Sequence, residues 1–124
     1  MIKAAKHGDL IALRDAIRSG SDLNGTDSQG WTPLFHAAHN GWTEGMQTII
    51  EAGADVNHGS ENGSTALFSA VMSGRLAVVE LLIEAGAQAR NVQGVRLTQW
   101  ARGKDRGQII AALERANQRE STVD

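Results

Sequence analysis

The chain of 124 residues is long enough for one compact core or a few stacked repeats, and too short for two independent domains. Hydrophobic residues at 41%, charged residues at 21% and a net charge of −2 are typical of a folded protein and exclude a disordered chain. The absence of cysteine excludes disulfides and cysteine zinc sites and suits the cytoplasm, and no apolar run approaches the roughly 20 residues that would span a membrane.

Glycines recur at a fixed interval along the chain. Nine of the 14 glycines fall into three evenly spaced series that share one interval, apart from a slightly shorter final step. The three series are Gly8, Gly41 and Gly74; Gly20, Gly53 and Gly86; and Gly30, Gly63 and Gly94. Self-similarity at this interval, about 33 residues, predicts an array of stacked repeats.

Two short helices are predicted in each repeat. The pair Ala4-Ala5 opens the chain, and Ala37-Ala38 follows it one repeat interval later. Leu34 precedes Ala37 by three residues, so the three side chains form an apolar helical stripe that begins at Pro33 with Thr32 as its N-cap.

A second helix follows in each repeat after the glycine that ends the first. Its apolar residues are Met46, Ile49 and Ile50 in one repeat, and Val78, Val79, Leu82 and Ile83 in the next. We expect the core between stacked helices to contain Leu34, Leu67 and Leu82, because no single repeat can bury its apolar stripe alone. Polar segments at 22–30 and 55–63 predict hairpin-like loops between repeats.

These residues resemble the ankyrin-repeat family, whose unit reads D-x-x-G-x-T-P-L-H-x-A-A-x-x-G, then an apolar helix, then G-A-D-V-N. The fullest match runs from Asp27 to Asn57, and the resemblance covers about residues 4–114. It implies an all-α solenoid of about four stacked helix-turn-helix units joined by hairpin-like loops. We place this single domain at 1–115, with units at about 1–26, 27–59, 60–90 and 91–115, and a polar, fraying tail at 116–124.

The last unit is degenerate and allows two alignments. In the preferred one, residues 91–94 stand for D-x-x-G, and Ile109, Ile110 and Leu113 form the second helix. The alternative aligns Thr98 with Thr65 and Gly107 with Gly74.

Two features depart from the family pattern. The histidine after T-P-L is replaced by Phe35 in the second unit and by Phe68 in the third, with His36 displaced by one place. Gly45 replaces an apolar helix residue, which we expect to weaken the second unit by about 1 kcal/mol.

No motif for catalysis or cofactor binding is present. His36 and His39 have an i, i+3 spacing that could hold a metal, yet a tetrahedral site needs two more ligands, and surface or inter-repeat positions explain them better. The segment 59–65 lacks the lysine and the glycine spacing of a phosphate loop. We therefore predict no enzyme, no cofactor and no metal.

By resemblance, the function is protein–protein interaction through the hairpin tips and the concave face formed by the first helices. We expect Trp31 to be an exposed anchor, Trp42 to pack between repeats and Trp100 to lie in the core. The predicted partner-binding residues occupy the variable positions of the motif: Ser28, Gln29, Trp31, His39, Asn40, Glu61, Asn62, Ser64, Met72 and Ser73.

Charge is distributed unevenly along the chain. Between Ser19 and Gly74 there is no lysine or arginine, while six carboxylates are present; Arg90, Arg96, Arg102, Lys104 and Arg106 then follow toward the carboxyl end. The acidic middle favours a protein partner with a basic surface and disfavours nucleic acid. We expect a monomer when free. An alternative function is that of a stoichiometric inhibitor, an antitoxin or immunity protein that covers a basic toxin enzyme.

Overall fold

A computed structural model describes residues 1–59, 65–89 and 97–122 of the chain, with side chains described as far as Gln118. These ranges form seven α-helices and one turn of 3-10 helix, without any strand. The helices are α1 (Ile2–His7), α2 (Leu10–Arg18), α3 (Pro33–His39), α4 (Thr43–Glu51), α5 (Ala66–Ser73), α6 (Leu76–Glu84) and α7 (Arg106–Thr122), and the 3-10 turn is η1 (Leu97–Trp100). The predicted all-α architecture is confirmed.

The helices pack as two layers. Helices α1, α3 and α5 and the turn η1 contact one another in sequence and form the first-helix layer. Helices α2, α4, α6 and α7 stack in the same way and form the second-helix layer. Each first helix also packs against the second helix of its own pair, so four pairs stack along one axis, as the repeat spacing predicts.

The same chemistry starts successive first helices. The hydroxyl oxygen of Thr32 accepts a hydrogen bond from the backbone N–H of Phe35 at 3.2 Å, and that of Thr65 accepts from Phe68 at 3.1 Å. Each threonine thereby satisfies one of the free donors at a helix N-terminus, which confirms Thr32 as the predicted cap. Gly74 ends α5 in the left-handed region, with φ of 68°.

The core runs continuously between the layers. Leu34, Leu67 and Leu82 are at most 1% exposed, which confirms the three predicted core leucines. Small alanines such as Ala37 and Ala70 are equally buried, and their size allows neighbouring helices to approach closely.

Asparagine side chains join successive loops between units. The side-chain oxygen of Asn24 accepts from the backbone N–H of Asp55 at 2.9 Å, and that of Asn57 accepts from Gln88 at 2.8 Å. Asp22 and Asp55 in turn accept the N–H of the asparagine two residues on. These hydrogen bonds fix the spacing of the repeats at the loops, in addition to the packing of the core.

Gly45 in α4 has a different role from the one predicted. It is buried, and a Cβ atom placed on it would clash with Cε3 of Trp42. The indole of Trp42 therefore occupies the space of the missing side chain, a packing role that the sequence did not reveal. Trp42 packs on its own unit and is only partly buried at the edge of the core.

The last unit differs from the others. Its first helix is reduced to η1, which begins slightly less than one repeat interval after α5 does. Gly103 has φ of 88° and lies against Gly74, whereas Gly107 lies within α7, so the alternative alignment of Gly107 with Gly74 is wrong. The expected D-x-x-G segment at 91–94 is outside the described residues.

Helix α7 extends beyond the expected domain end at 115. It continues to Thr122, and Ala116 and Asn117 are buried. Ile109, Ala112 and Leu113 share the same face of the helix at i, i+3 and i+4 spacing, and that face packs against α6. The polar composition of the segment concealed this continuation.

Candidate functional site

Asp27 builds the hairpin tip that precedes α3. Its carboxylate oxygen Oδ1 accepts the backbone N–H groups of Gln29 at 2.9 Å and Trp31 at 3.1 Å, and its own carbonyl accepts from Gly30 at 3.0 Å. These bonds close a tight turn whose tip residues, Ser28 and Gln29, are exposed.

The second carboxylate oxygen of Asp27 holds His36. The distance from Asp27 Oδ2 to His36 Nε2 is 2.8 Å, and the histidine is 6% exposed. The hydrogen bond from His36, assisted by the Trp31 backbone N–H, holds the pKa of the Asp27 carboxyl below its ordinary value. His36 is thus a buried residue that ties the hairpin to α3, so the surface position that was one of its two expected places is wrong.

Trp31 lies between the hairpin tip and α3, on the first-helix layer. Its ring centroid lies 4.4 Å from that of Phe35 and 5.4 Å from that of His39. Trp31 is partly buried against the core, so the expectation of a simply exposed anchor is wrong. Only part of the ring is available to a partner.

A cleft lies between α3 and α5 on the first-helix layer. Its volume is about 250 Å³. We call it the inter-unit groove; it is lined by Trp31, Phe35, His39, Phe68, Ser69, Met72 and Ser73. The lining is mainly apolar, and among the residues that the structure describes no carboxylate belongs to it.

The groove brings together four of the predicted site residues. Trp31 and His39 come from the second unit, and Met72 and Ser73 from the third. Ser28 and Gln29 lie outside the groove at the hairpin tip. The side-chain amide of Asn40 donates to the carbonyl of Lys6 at 3.0 Å, which ties α3 to α1. The remaining three predicted residues, Glu61, Asn62 and Ser64, lie outside the described residues.

Three lining residues were not among the predicted ones. Phe35 and Phe68 occupy equivalent positions of successive units, and Ser69 follows the second of them. The signal was present, since both phenylalanines stand where the family has histidine. Phe68 also meets the ring of Trp100 edge-on at 5.4 Å. Trp100, predicted as core, is partly buried at its edge.

The acidic residues of the middle segment do not form one surface. Asp22 and Asp55 lie exposed in the loops between units, whereas Glu44 and Glu51 belong to α4 in the second-helix layer. Asp27 is engaged by His36. Glu61 is outside the described part of the chain. None of the described carboxylates lines the groove.

The described residues offer no constellation for metal binding. Within 1–59, 65–89 and 97–118, no three His, Cys, Asp or Glu side chains converge on a point that could hold an ion. Among the helices that the structure describes, none has the length and apolarity needed to cross a membrane.

Comparison with known families agrees with this architecture. The family model for ankyrin repeats, in three copies, matches residues 1–92. The chain therefore belongs to the ankyrin-repeat family, and its last unit lies largely beyond the matched range. Ankyrin repeats are in general protein–protein interaction modules and generally non-catalytic. A search of curated proteins gives no significant match.

Proposed function

We propose that this chain is a non-catalytic interaction module that holds a short segment of another protein in the inter-unit groove. The observation that carries the proposal is the apolar lining of a cleft open between two packed units. Phe35, Phe68 and Met72 meet there without filling the space between them. Covering apolar surface of this kind stabilises a complex by roughly 25 cal/mol per Å² of buried area.

The size of the groove favours a side chain as its occupant. Small-molecule sites usually measure about 300–1,000 Å³, and the groove at about 250 Å³ is smaller. One bulky aliphatic or aromatic side chain fits such a volume. Met72 suits this role because its unbranched side chain adapts to the shape of what it contacts.

The neighbouring hairpin tips would form the polar rim of the interface. Ser28 and Gln29 are exposed beside the groove, and Glu61, Asn62 and Ser64 hold the corresponding place in the next loop of the sequence. We propose that the partner presents basic groups to this rim, where the carboxylates of the loops attract them. Such rim charges act mainly on the rate of association.

The proposal is tested by affinity capture with matched variants. Met72→Gln removes an apolar contact from the groove, and Leu81→Gln makes the same kind of change at a partly buried residue of the second-helix layer. We expect the wild-type chain and Leu81→Gln to capture the same protein, and Met72→Gln to lose it. Capture lost with Leu81→Gln and kept with Met72→Gln would move the binding surface to the second-helix layer.

Two further measurements test the oligomeric state of the chain and its effect on the captured protein. We propose a cytoplasmic chain that is monomeric when free, which light scattering during gel filtration measures directly. If the captured protein is an enzyme, assay of its activity at increasing ratios of this chain distinguishes inhibition at one-to-one stoichiometry from scaffolding.

A further inference from the structure

We infer that the inter-unit groove takes its occupant in one direction, with acidic residues of the bound segment at the C-terminal ends of α3 and α5 and basic residues at the hairpins. The inference rests on the proposed function and adds the chemistry of the partner segment. It follows from the opposite charges at the two ends of the groove.

The first of these ends is the turn edge, which we define as the loops that join the two helices of a unit: 40–42, 74–75 and 101–105. Arg75, Arg102 and Lys104 are exposed on it. The backbone brings them together, because a Cβ atom on Gly74 would lie 2.7 Å from the carbonyl oxygen of Arg102. The turn edge therefore carries exposed cations from both the third and the fourth unit.

Arg75 extends this positive charge toward the groove. Its Nη1 atom would lie 2.5 Å from a Cβ atom placed on Gly41, so the guanidinium reaches back from the third unit to the end of α3 in the second. The groove residues nearest to it in the chain are His39, two positions before Gly41, and Ser73, two positions before Arg75. The guanidinium thus spans the two units whose helices form the groove.

These cations are available to a partner. The ion pairs in the described part of the chain join Arg18 to Asp15 and His36 to Asp27, and neither involves the turn edge. Asp105, which is half-buried in the same loop, leaves an excess of positive charge there. An exposed guanidinium without a carboxylate partner favours an acidic group in a bound protein.

The opposite end of the groove carries the other sign. The hairpin edge comprises the loops that join the units, at 19–31 and 52–59, and its sequence contains no lysine or arginine. Asp22 and Asp55 are exposed there, and Asp27 stands shortly before Trp31 at the mouth of the groove. Since α3 and α5 run from the hairpin edge to the turn edge, the groove between them runs from negative to positive.

The occupant defined by this arrangement is a protein segment with one bulky apolar residue, acidic residues on one side of it and basic residues on the other. The apolar residue enters the groove, and the flanking charges set the direction. A segment with reversed charge order would place like charges together at both ends, which disfavours binding.

Selection of random peptides displayed on phage against the whole chain tests the inference. We expect the wild-type chain to enrich peptides with a bulky apolar residue and acidic residues on one fixed side of it. Selection against Arg75→Glu should retain the apolar residue and lose or invert the acidic preference. Arg14→Glu, a charge reversal at an exposed residue of α2, is the matched control and should select like the wild type.

The affinity of one selected peptide then measures how much Arg75 contributes to binding. We expect Arg75→Glu to weaken its binding about tenfold, which corresponds to about 1.4 kcal/mol, with the control within about twofold of the wild type. Thermal melting shows whether each variant is folded.

The outcomes separate the two proposals. Peptides that depend on Met72 but show no acidic preference, or keep it with Arg75→Glu, would overturn the direction of binding and leave the proposed function intact. Selection that yields no peptide dependent on Met72 would overturn both.

Discussion

Replacing Gly45 with alanine should destabilise the protein, although helix propensity predicts the opposite. In the interior of an exposed helix, glycine to alanine gains about 1 kcal/mol. At Gly45 the new Cβ would clash with Cε3 of Trp42, and two further atoms of the ring would lie 2.5 Å from it. Real atoms do not approach so closely, so the indole must move off the helix.

The expected magnitude follows from these opposing effects. Inserting a methyl group into a filled space costs typically about 1–3 kcal/mol. After subtraction of the propensity gain of about 1 kcal/mol, the free energy of unfolding should fall by up to about 2 kcal/mol. For a chain of this length each 1 kcal/mol shifts the thermal midpoint by about 3–5 °C. Urea and thermal unfolding followed by circular dichroism measure both quantities.

The chain provides a matched control at Gly107. This glycine lies in the first turn of α7, and a Cβ atom on it would meet nothing within 4 Å. Gly107→Ala should therefore stabilise the protein by about 0.5–1 kcal/mol. In a Trp42→Ala background the effect of Gly45→Ala should change sign and become stabilising, because the obstructing ring is gone. If Gly45→Ala raised the thermal midpoint in the presence of Trp42, the proposed packing of the indole would be refuted.

Three further predictions concern stability and metal content. Leu67→Ala should cost about 2–5 kcal/mol, since the side chain is 1% exposed; an unchanged unfolding midpoint would contradict the core assignment. Because His36 holds the pKa of Asp27 below its ordinary value, this carboxylate stabilises the fold above about pH 4 and the contribution is lost as pH falls through the lowered pKa. Asp27→Asn should therefore be less stable than the wild type at neutral pH, and the difference measured by urea unfolding should shrink in acid; a constant difference would refute the link. Elemental analysis should find no stoichiometric metal, and one zinc per chain that is lost in His36→Ala would overturn this expectation.

The repeat spacing allowed most of the fold to be predicted from the sequence. The constant interval places equivalent residues in equivalent positions, so the cap at Thr32 and the core leucines followed from the pattern, and Thr65 repeats the cap in the next unit. Pattern reasoning failed where a unit uses a local solution of its own. Gly45 reads as a defect because its sequence position does not reveal that Trp42 fills the gap.

The candidate site could be predicted in part for a similar reason. Trp31, His39, Met72 and Ser73 stand at variable positions of the repeat and line one groove, and their part in binding stays a prediction. The pairing of His36 with Asp27 was missed because it depends on how the hairpin folds back onto α3. Phe35 and Phe68, which replace the histidine of the family pattern, line the groove from successive units, and their proximity becomes apparent only when two units are stacked.

The proposed function requires a protein segment to bind between α3 and α5. Nuclear magnetic resonance titration of the isotope-labelled whole chain, with a peptide selected against it or taken from the captured partner, tests this claim most directly. If the segment binds in the inter-unit groove, we expect amide shifts to concentrate at His39, Ser69 and Ser73, with saturation at one peptide per chain. Shifts concentrated instead at Gln47 and Glu80, which line the cleft of the second-helix layer, would contradict it.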